Sequence, residues 1–388
     1  MKVPMSSPDL TDAERQAVLG VLQTPRLSMG PELESFEREL TRRLGARYAI
    51  GVSSGTSGLH LAVRAAGVAD GDFVITTPFS FVASANVILY ERAVPVFVDV
   101  DPETGNMDPD LASQATADLS VGGPAARRWL PRRGAAEARQ PRAMLVVDVF
   151  GQPAEYDQLR KAVEGQDLAV IEDSCEALGA AYRSRPAGTL GDVGVFGFYP
   201  NKQITTGEGG AVVTDRQDWA DRIRAMANQG RAPGDTWLEH TYLGFNYRLD
   251  ELSAALGRVQ LQRLDELMTK RERAAEWYAR RLAEIPGVEA PRTIASTTRR
   301  SWFVYVVRLD PAIDRRSLAE RLEASGIPTR PYFSPIHLQK YFREAFDYRE
   351  GDLPVAEDLG RRSLALPFSS VMTEEQVEMV CEALRGVM

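Results

Sequence analysis

The chain reads as an α/β protein: a large domain on a mostly parallel, mixed sheet flanked by helices, followed by a smaller α+β domain. Three observations predict this. Short β-rich runs alternate with helical segments through most of the chain, the order that generates a sheet with helices on both faces. Several runs, such as 144–149 and 168–171, are almost continuously apolar, as strands buried on both faces are. At 388 residues the chain also exceeds what one core usually serves, and its pattern changes after the proline-bearing stretch 285–292.

The first helix is predicted to start at Thr11, because Thr11 and Glu14 stand at capping-box spacing ahead of Val18, Leu19 and Leu22. Gly30-Pro31 opens a second helix, in which Phe36, Leu40 and Leu44 recur every four residues and Gly45 ends the run. Strand-like runs at 48–52, 73–76 and 94–100 then alternate with a helix from Thr56 and another through Asn86. Segment 112–142 is rich in Ala, Arg, Pro and Gly and carries Arg127, Arg128, Arg132 and Arg133. It reads as a solvated surface loop rather than a clamp for a nucleotide diphosphate.

Strands at 144–149 and 168–171 resume the alternation around a helix at 156–163. Runs 193–198 and 210–214, joined through a glycine-rich turn, predict at least one antiparallel strand in the sheet. Over 250–285 apolar positions keep helical spacing without a proline, which predicts one long helix. A strand at 302–309, a helix at 316–325, an irregular aromatic segment and a final helix from Thr373 complete the chain. The predicted organisation is a large domain over 1–250, a connecting helix over 251–285 and a small C-terminal domain over 286–388.

Composition narrows the function classes. A formal net charge of -8 repels phosphate backbones at long range, so nucleic acid is not expected as a partner. No apolar run reaches bilayer-spanning length, and the N-terminal residues lack a secretory pattern; the expected location is the cytoplasm, without a membrane partner. Cys175 and Cys381 have neither the number nor the spacing of a disulfide framework, and with only His60, His240 and His337 no catalytic metal is expected. Demanding chemistry would then come from an organic cofactor.

Four constellations carry chemistry. Lys202 follows an apolar strand and precedes the cluster Gly207-Glu208-Gly209-Gly210; a lysine at a buried strand end can shed hydration, as a carbonyl-condensing amine must. Alone, it would pass for an ordinary hairpin lysine. Asp173 ends the strand Ala169-Val170-Ile171-Glu172-Asp173, where functional groups of such sheets collect, although a helix-capping role explains one Asp as well. Ser53-Ser54-Gly55-Thr56-Ser57-Gly58 joins a strand to a helix, so free N–H groups and hydroxyls meet at a phosphate-sized spot; a simple cap is the commoner reason. Phe81 lies just past a strand end, where its face suits a flat ring or the core.

In this order the segments resemble the sugar-aminotransferase family of fold-type I pyridoxal-phosphate enzymes, the DegT/DnrJ/EryC1/StrS type, over nearly the whole chain. The resemblance rests on Ser54 to Leu61, Thr77 to Ala83, Glu172-Asp173, Tyr199-Pro200-Asn201-Lys202 with Thr205 to Gly210, and Gly244-Phe245-Asn246-Tyr247-Arg248. It implies an aspartate-aminotransferase-like fold, pyridoxal 5'-phosphate as cofactor with pyridoxamine phosphate as its alternate form, and Lys202 as the Schiff-base lysine. It further implies that Asp173 pairs with the pyridine nitrogen, that Phe81 stacks on the ring, and that Gly55, Thr56 and Ser57 hold the phosphate. Asn246 matches a position that reaches the phosphate from a second subunit, which implies a homodimer with shared sites. Gly30, Tyr332 and His337 match loops near the substrate.

The implied reaction moves an amino group from L-glutamate to a nucleotide-diphosphate keto sugar. Two departures stand out: Gly197 replaces a phosphate-binding serine, and Glu176 stands where the family often has Gln or His donating to the cofactor's phenolic oxygen. An ionised Glu cannot donate, so Glu176 is expected to be protonated or to contact something else. A sugar dehydratase on the same fold and a non-catalytic cofactor-binding regulator are the rival readings. Lys202 argues against the first, because such dehydratases carry His there, and Lys202 with Asp173 against the second.

Overall fold

The computed structural model describes residues 3–135 and 141–388. Strands β1 (Tyr48–Val52), β2 (Phe73–Thr76), β3 (Val94–Phe97), β4 (Pro141–Val147) and β5 (Ala169–Asp173) are followed by the short pair β6 (Ala181–Tyr182) and β7 (Arg185–Pro186), then by β8 (Val193–Gly197) and β9 (Gly210–Thr214). Seven of these form one sheet in the order β1-β9-β8-β5-β4-β2-β3. Neighbours from β8 to β3 are parallel, and β9 runs antiparallel to both β8 and β1. The strand that the glycine-rich turn predicts to be antiparallel is therefore an interior one. Gly210 faces Val52 on one side and Gly197 on the other.

Local chemistry explains the flanking helices. Thr11 caps helix Asp12–Leu22 with a complete capping box, and helix Pro31–Leu44 ends at Gly45, whose φ of 71° is the left-handed conformation glycine adopts without steric cost. Phe36 and Leu40 of that helix are wholly buried, together with Phe196 and Phe198 from β8 and its extension. After the large sheet come β10 (Val288–Glu289), β11 (Thr297–Arg299), β12 (Tyr305–Leu309) and β13 (Ser363–Leu366). Strands β10-β12-β13 form an antiparallel sheet, while β11 pairs with β6. A second core lies between this antiparallel sheet and helices Leu264–Leu282, Arg315–Ala324 and Glu374–Val387. Among the described residues no helix is long and apolar enough to cross a membrane, and no group of His, Cys, Asp and Glu is placed to hold a metal ion.

Two expectations are corrected. The single helix over 250–285 is two, Glu251–Gln262 and Leu264–Leu282, which meet at Arg263. No breaker residue marks the joint; the Arg263 guanidinium reaches Glu14 at 2.7 Å, Asp9 at 2.8 Å and Glu266 at 3.1 Å, a tertiary set of bonds that local pattern does not encode. Segment 112–142 is not simply a solvated loop. It continues helix Pro109–Val121, which buries Ala112, Ala115, Thr116 and Leu119. It then docks on the C-terminal part of the chain through Arg132 to Asp352 at 2.6 Å and the Arg133 N–H to the Phe346 carbonyl at 3.2 Å. Residues 136–140 of that segment lie outside the described residues.

Candidate active site

The carboxyl ends of parallel strands open on one edge of a sheet, and ligands bind in the crevice there. Here that edge carries a cleft of about 620 Å³. Gly55, Thr56, Phe81, Asp173, Glu176, Lys202 and Tyr332 all line it.

Lys202 stands in the connection from β8 to β9. The Phe198 N–H bonds to the Gly209 carbonyl at 2.9 Å and the Thr206 N–H to the Phe198 carbonyl at 3.0 Å, closing the loop at its base. The lysine Nζ lies 3.7 Å from the centroid of the Phe303 ring and 3.8 Å from Glu176 Oε1, with the side chain 14% exposed. An ammonium over an aromatic face keeps a favourable contact while out of water.

Asp173, at the end of β5, is 5% exposed. Its Oδ2 accepts from Ser84 Oγ at 2.7 Å and its Oδ1 from the Cys175 N–H at 3.1 Å. Among the described residues no basic side chain forms an ion pair with it. Such a carboxylate is costly without a cationic partner, and its cleft position fits the protonated nitrogen of a pyridine ring.

Glu176 is buried beside them; its Oε2 accepts the Phe150 N–H at 2.9 Å. Burial raises its pKa, and the neighbouring Lys202 offsets part of that rise. A raised carboxyl keeps its proton more readily, the direction of the first of the two expectations for Glu176, while the Phe150 N–H and Lys202 beside it match the second, contact with other groups.

Ser54 caps helix Gly55–Ala65, its Oγ accepting from the Ser57 N–H at 3.0 Å. The helix start, whose first N–H groups have no partner within the helix, meets the cleft at Gly55 and Thr56. A Cβ at Gly55 would stand 2.7 Å from Cys175 Sγ, so only glycine fits. A Cβ at Gly210 would come within 2.7 Å of the backbone of Ser54, Gly55 and Phe196. Ser57 does not reach the cleft: its hydroxyl is engaged with Ser53 Oγ at 2.9 Å and Ser54 Oγ at 2.7 Å. At Gly197 a Cβ would meet Cys175 at an ordinary 3.5 Å, so the missing hydroxyl is a matter of residue choice, not of space.

Phe81 is 61% exposed and lines the cleft, and Tyr332 stacks on Phe333 and Phe150 in its wall. Three predicted residues lie elsewhere. His337 is fully buried, its Nε2 3.1 Å from Glu357 and its ring near Phe97 and Tyr348, so in this arrangement no substrate reaches it. The Gly30 N–H donates to Glu251 at 2.9 Å, against Arg26 and away from the cleft lining. Asn246 is exposed and bridges to Asn228. Sequence reasoning missed Ser84, Cys175, Tyr199 and Phe303, all of which line the cleft. Ser84 and Cys175 lie next to motifs already singled out, whereas Phe303 carries no local signal.

A model of the DegT/DnrJ/EryC1/StrS aminotransferase family matches residues 8–385. The chain belongs to this family. Among its relatives, GDP-perosamine synthase of Caulobacter vibrioides is 35% identical over 391 residues, covering 100% of this chain and 98% of the relative. The crystal structure of DesV from S. venezuelae superposes with a TM-score of 0.86 at 33% identity, covering 99% and 98% of the two chains. PseC of Helicobacter pylori, an aminotransferase involved in the biosynthesis of pseudoaminic acid, gives a TM-score of 0.88 at 28% identity, covering 100% and 99%. As a DegT-family member the protein is a pyridoxal-phosphate-dependent aminotransferase of fold type I. The residues fit that cofactor: an unpaired buried carboxylate, an amine within the same cleft, a helix start for a phosphate and an exposed aromatic ring.

Proposed function

We propose that the protein transfers the amino group of an L-amino acid, L-glutamate by analogy, to the keto carbon of a nucleotide-linked sugar in amino-sugar biosynthesis. The observation that carries this reading is the convergence of Lys202 and Asp173 in one cleft of a DegT-family chain. Relatives named for perosamine and pseudoaminic acid support a sugar acceptor. When bound, pyridoxal phosphate supplies an electron sink for the carbon that loses its proton. Asp173 would keep the ring nitrogen protonated, Phe81 would cover the ring, and Gly55 with Thr56 would receive the phosphate at the helix start. Lys202 would hold the cofactor through its Nζ, and the same nitrogen, when free, would take the proton from the donor carbon and return it elsewhere, as a general base and then acid.

The working unit is a homodimer in which Asn246 of a second copy completes the phosphate site. Trp237, Leu238 and Leu243 support it: they lie 74–83% or so exposed on the loop that leads to Asn246, an apolar surface that a second copy would cover. The test is the absorption spectrum of the protein with pyridoxal phosphate, before and after L-glutamate, beside Lys202→Ala. The wild type is expected to show the visible band of the lysine-bound cofactor, bleached by glutamate, and the variant no such band. A wild type without that band would overturn the reading. A panel of 3-keto and 4-keto nucleotide sugars then identifies the acceptor.

A further inference from the structure

Arg271, on helix Leu264–Leu282, is 1% exposed and does not line the cleft. Among the described residues it pairs with no carboxylate. Its guanidinium serves main-chain carbonyls instead: Nη2 donates to Lys202 at 2.6 Å and Asn201 at 3.3 Å, and Nη1 donates to Trp302 and Phe303 at 3.1 Å each. One planar fork thus fastens two separate stretches of chain. One bears the reactive lysine, and the other bears the ring over which that lysine's Nζ rests at 3.7 Å. Burial lowers the Arg271 pKa to about 10, so it stays charged at neutral pH. A buried cation without a counter-ion is costly, and an apolar residue would glue two segments with less penalty. What an apolar residue cannot do is donate to four carbonyls from one rigid group, for which guanidinium geometry is suited.

From this arrangement we propose that Arg271 is a positioning residue for Lys202, setting both the base of the lysine side chain and the aromatic surface that directs its Nζ into the cleft. The proposal rests on the function proposed above. There Lys202 works at two places: its nitrogen bonds to the cofactor's carbonyl carbon, with water leaving, and once displaced it carries a proton. A side chain with four rotatable carbons reaches both only if its root is fixed. Small displacements of such a group cost large rate factors.

The experiment uses the full-length apo-protein, with Arg271→Lys and Arg271→Gln, and two ligands. Pyridoxal phosphate condenses with Lys202; pyridoxamine phosphate occupies the same pocket but bears an amine and cannot. Arg271→Gln is expected to slow growth of the lysine-bound absorption band at least about tenfold, with Arg271→Lys between it and wild type. Affinity for pyridoxamine phosphate, read by tryptophan fluorescence, is expected to stay at the wild-type value. Equal losses with both ligands would make Arg271 general glue and overturn the proposal, as would wild-type condensation in Arg271→Gln. If circular dichroism shows that Arg271→Gln does not fold, Arg271→Lys, which keeps a donor on a similar stem and lies outside the cleft lining, carries the test, with the same split expected and its absence decisive against. A wild type that never forms the band refutes the proposed function itself, an outcome distinct from all of these.

Discussion

Removing the Ser84 hydroxyl probes the support of Asp173 without touching the carboxylate. Ser84 Oγ donates to Asp173 Oδ2 at 2.7 Å, both residues are buried, and the remaining donor to that carboxylate is the Cys175 N–H at 3.1 Å. Ser84→Ala keeps the Cβ and improves helix propensity within Ala83–Tyr90, so the backbone has no reason to move. A hydrogen bond to a charged group contributes about 1.5–3 kcal/mol, which at roughly 1.4 kcal/mol per decade corresponds to a ~10- to 100-fold loss. Ser80 Oγ, 3.0 Å from Ser84 Oγ, can turn toward the vacated position and set the loss near the lower figure. The assay is kcat/KM for the amino donor in wild type, Ser84→Ala, Asp173→Asn and the double variant. If Ser84 acts through Asp173, the Ser84→Ala loss disappears in the Asp173→Asn background. A loss that persists there, or a single variant within about twofold of wild type, would refute the reasoning.

Acid stability is a second check. Burial alone would raise Glu14, but hydrogen bonds from Thr11, Arg263 and Gln260 outweigh it and bring the carboxyl down to about 2, from 4.5. Because the folded value lies below the unfolded one, the stabilisation is complete above about pH 4.5 and fades as pH falls toward 2. Glu14→Gln is therefore expected to lose up to about 3 kcal/mol at pH 7, by urea denaturation of the apo-protein, with the gap closing near pH 2. Phe36, wholly buried and edge-on to Phe198 at 5.5 Å, is expected to cost about 3–5 kcal/mol when cut to Ala, seen as a lower Tm. Mixing Lys202→Ala with Asn246→Ala under conditions that reassort subunits is expected to restore roughly a quarter of wild-type activity, because a shared-site dimer then contains one intact site in half its members. No gain on mixing would place Asn246 in its own chain's site.

Much of the architecture was legible because burial on both faces writes itself into composition: β4 and β5 are apolar runs that few other environments tolerate. The antiparallel strand was legible from the glycine turn before it. Lys202, Asp173, Gly55, Thr56 and Phe81 could be gathered from sequence because each ends or follows a strand of the same sheet, and strand ends meet at one edge; Glu176 entered through the family resemblance. Residues after the large sheet lack that rule. Tyr332 lines the cleft while His337, five positions on, faces the core, and the direction of an irregular segment is set by what it packs against. Arg263 and Arg271 carry no signal of their role, since the pattern of a helix face does not reveal that an arginine is drawn inward by partners far away in the chain.

The close approach at Gly210 has an engineering corollary. With Val52 beside it, Gly197 opposite and the Ser54–Gly55 backbone against it, this position leaves no room for a side chain between the helix start at the cleft and the strand that leads to Lys202. The two ends of the cleft are cast as one piece. A mutation that shifts one drags the other, so the pocket cannot be enlarged from that wall. Attempts to broaden what the pocket admits belong instead at Tyr199 and Tyr332, where side chains rather than backbone meet the space to be filled.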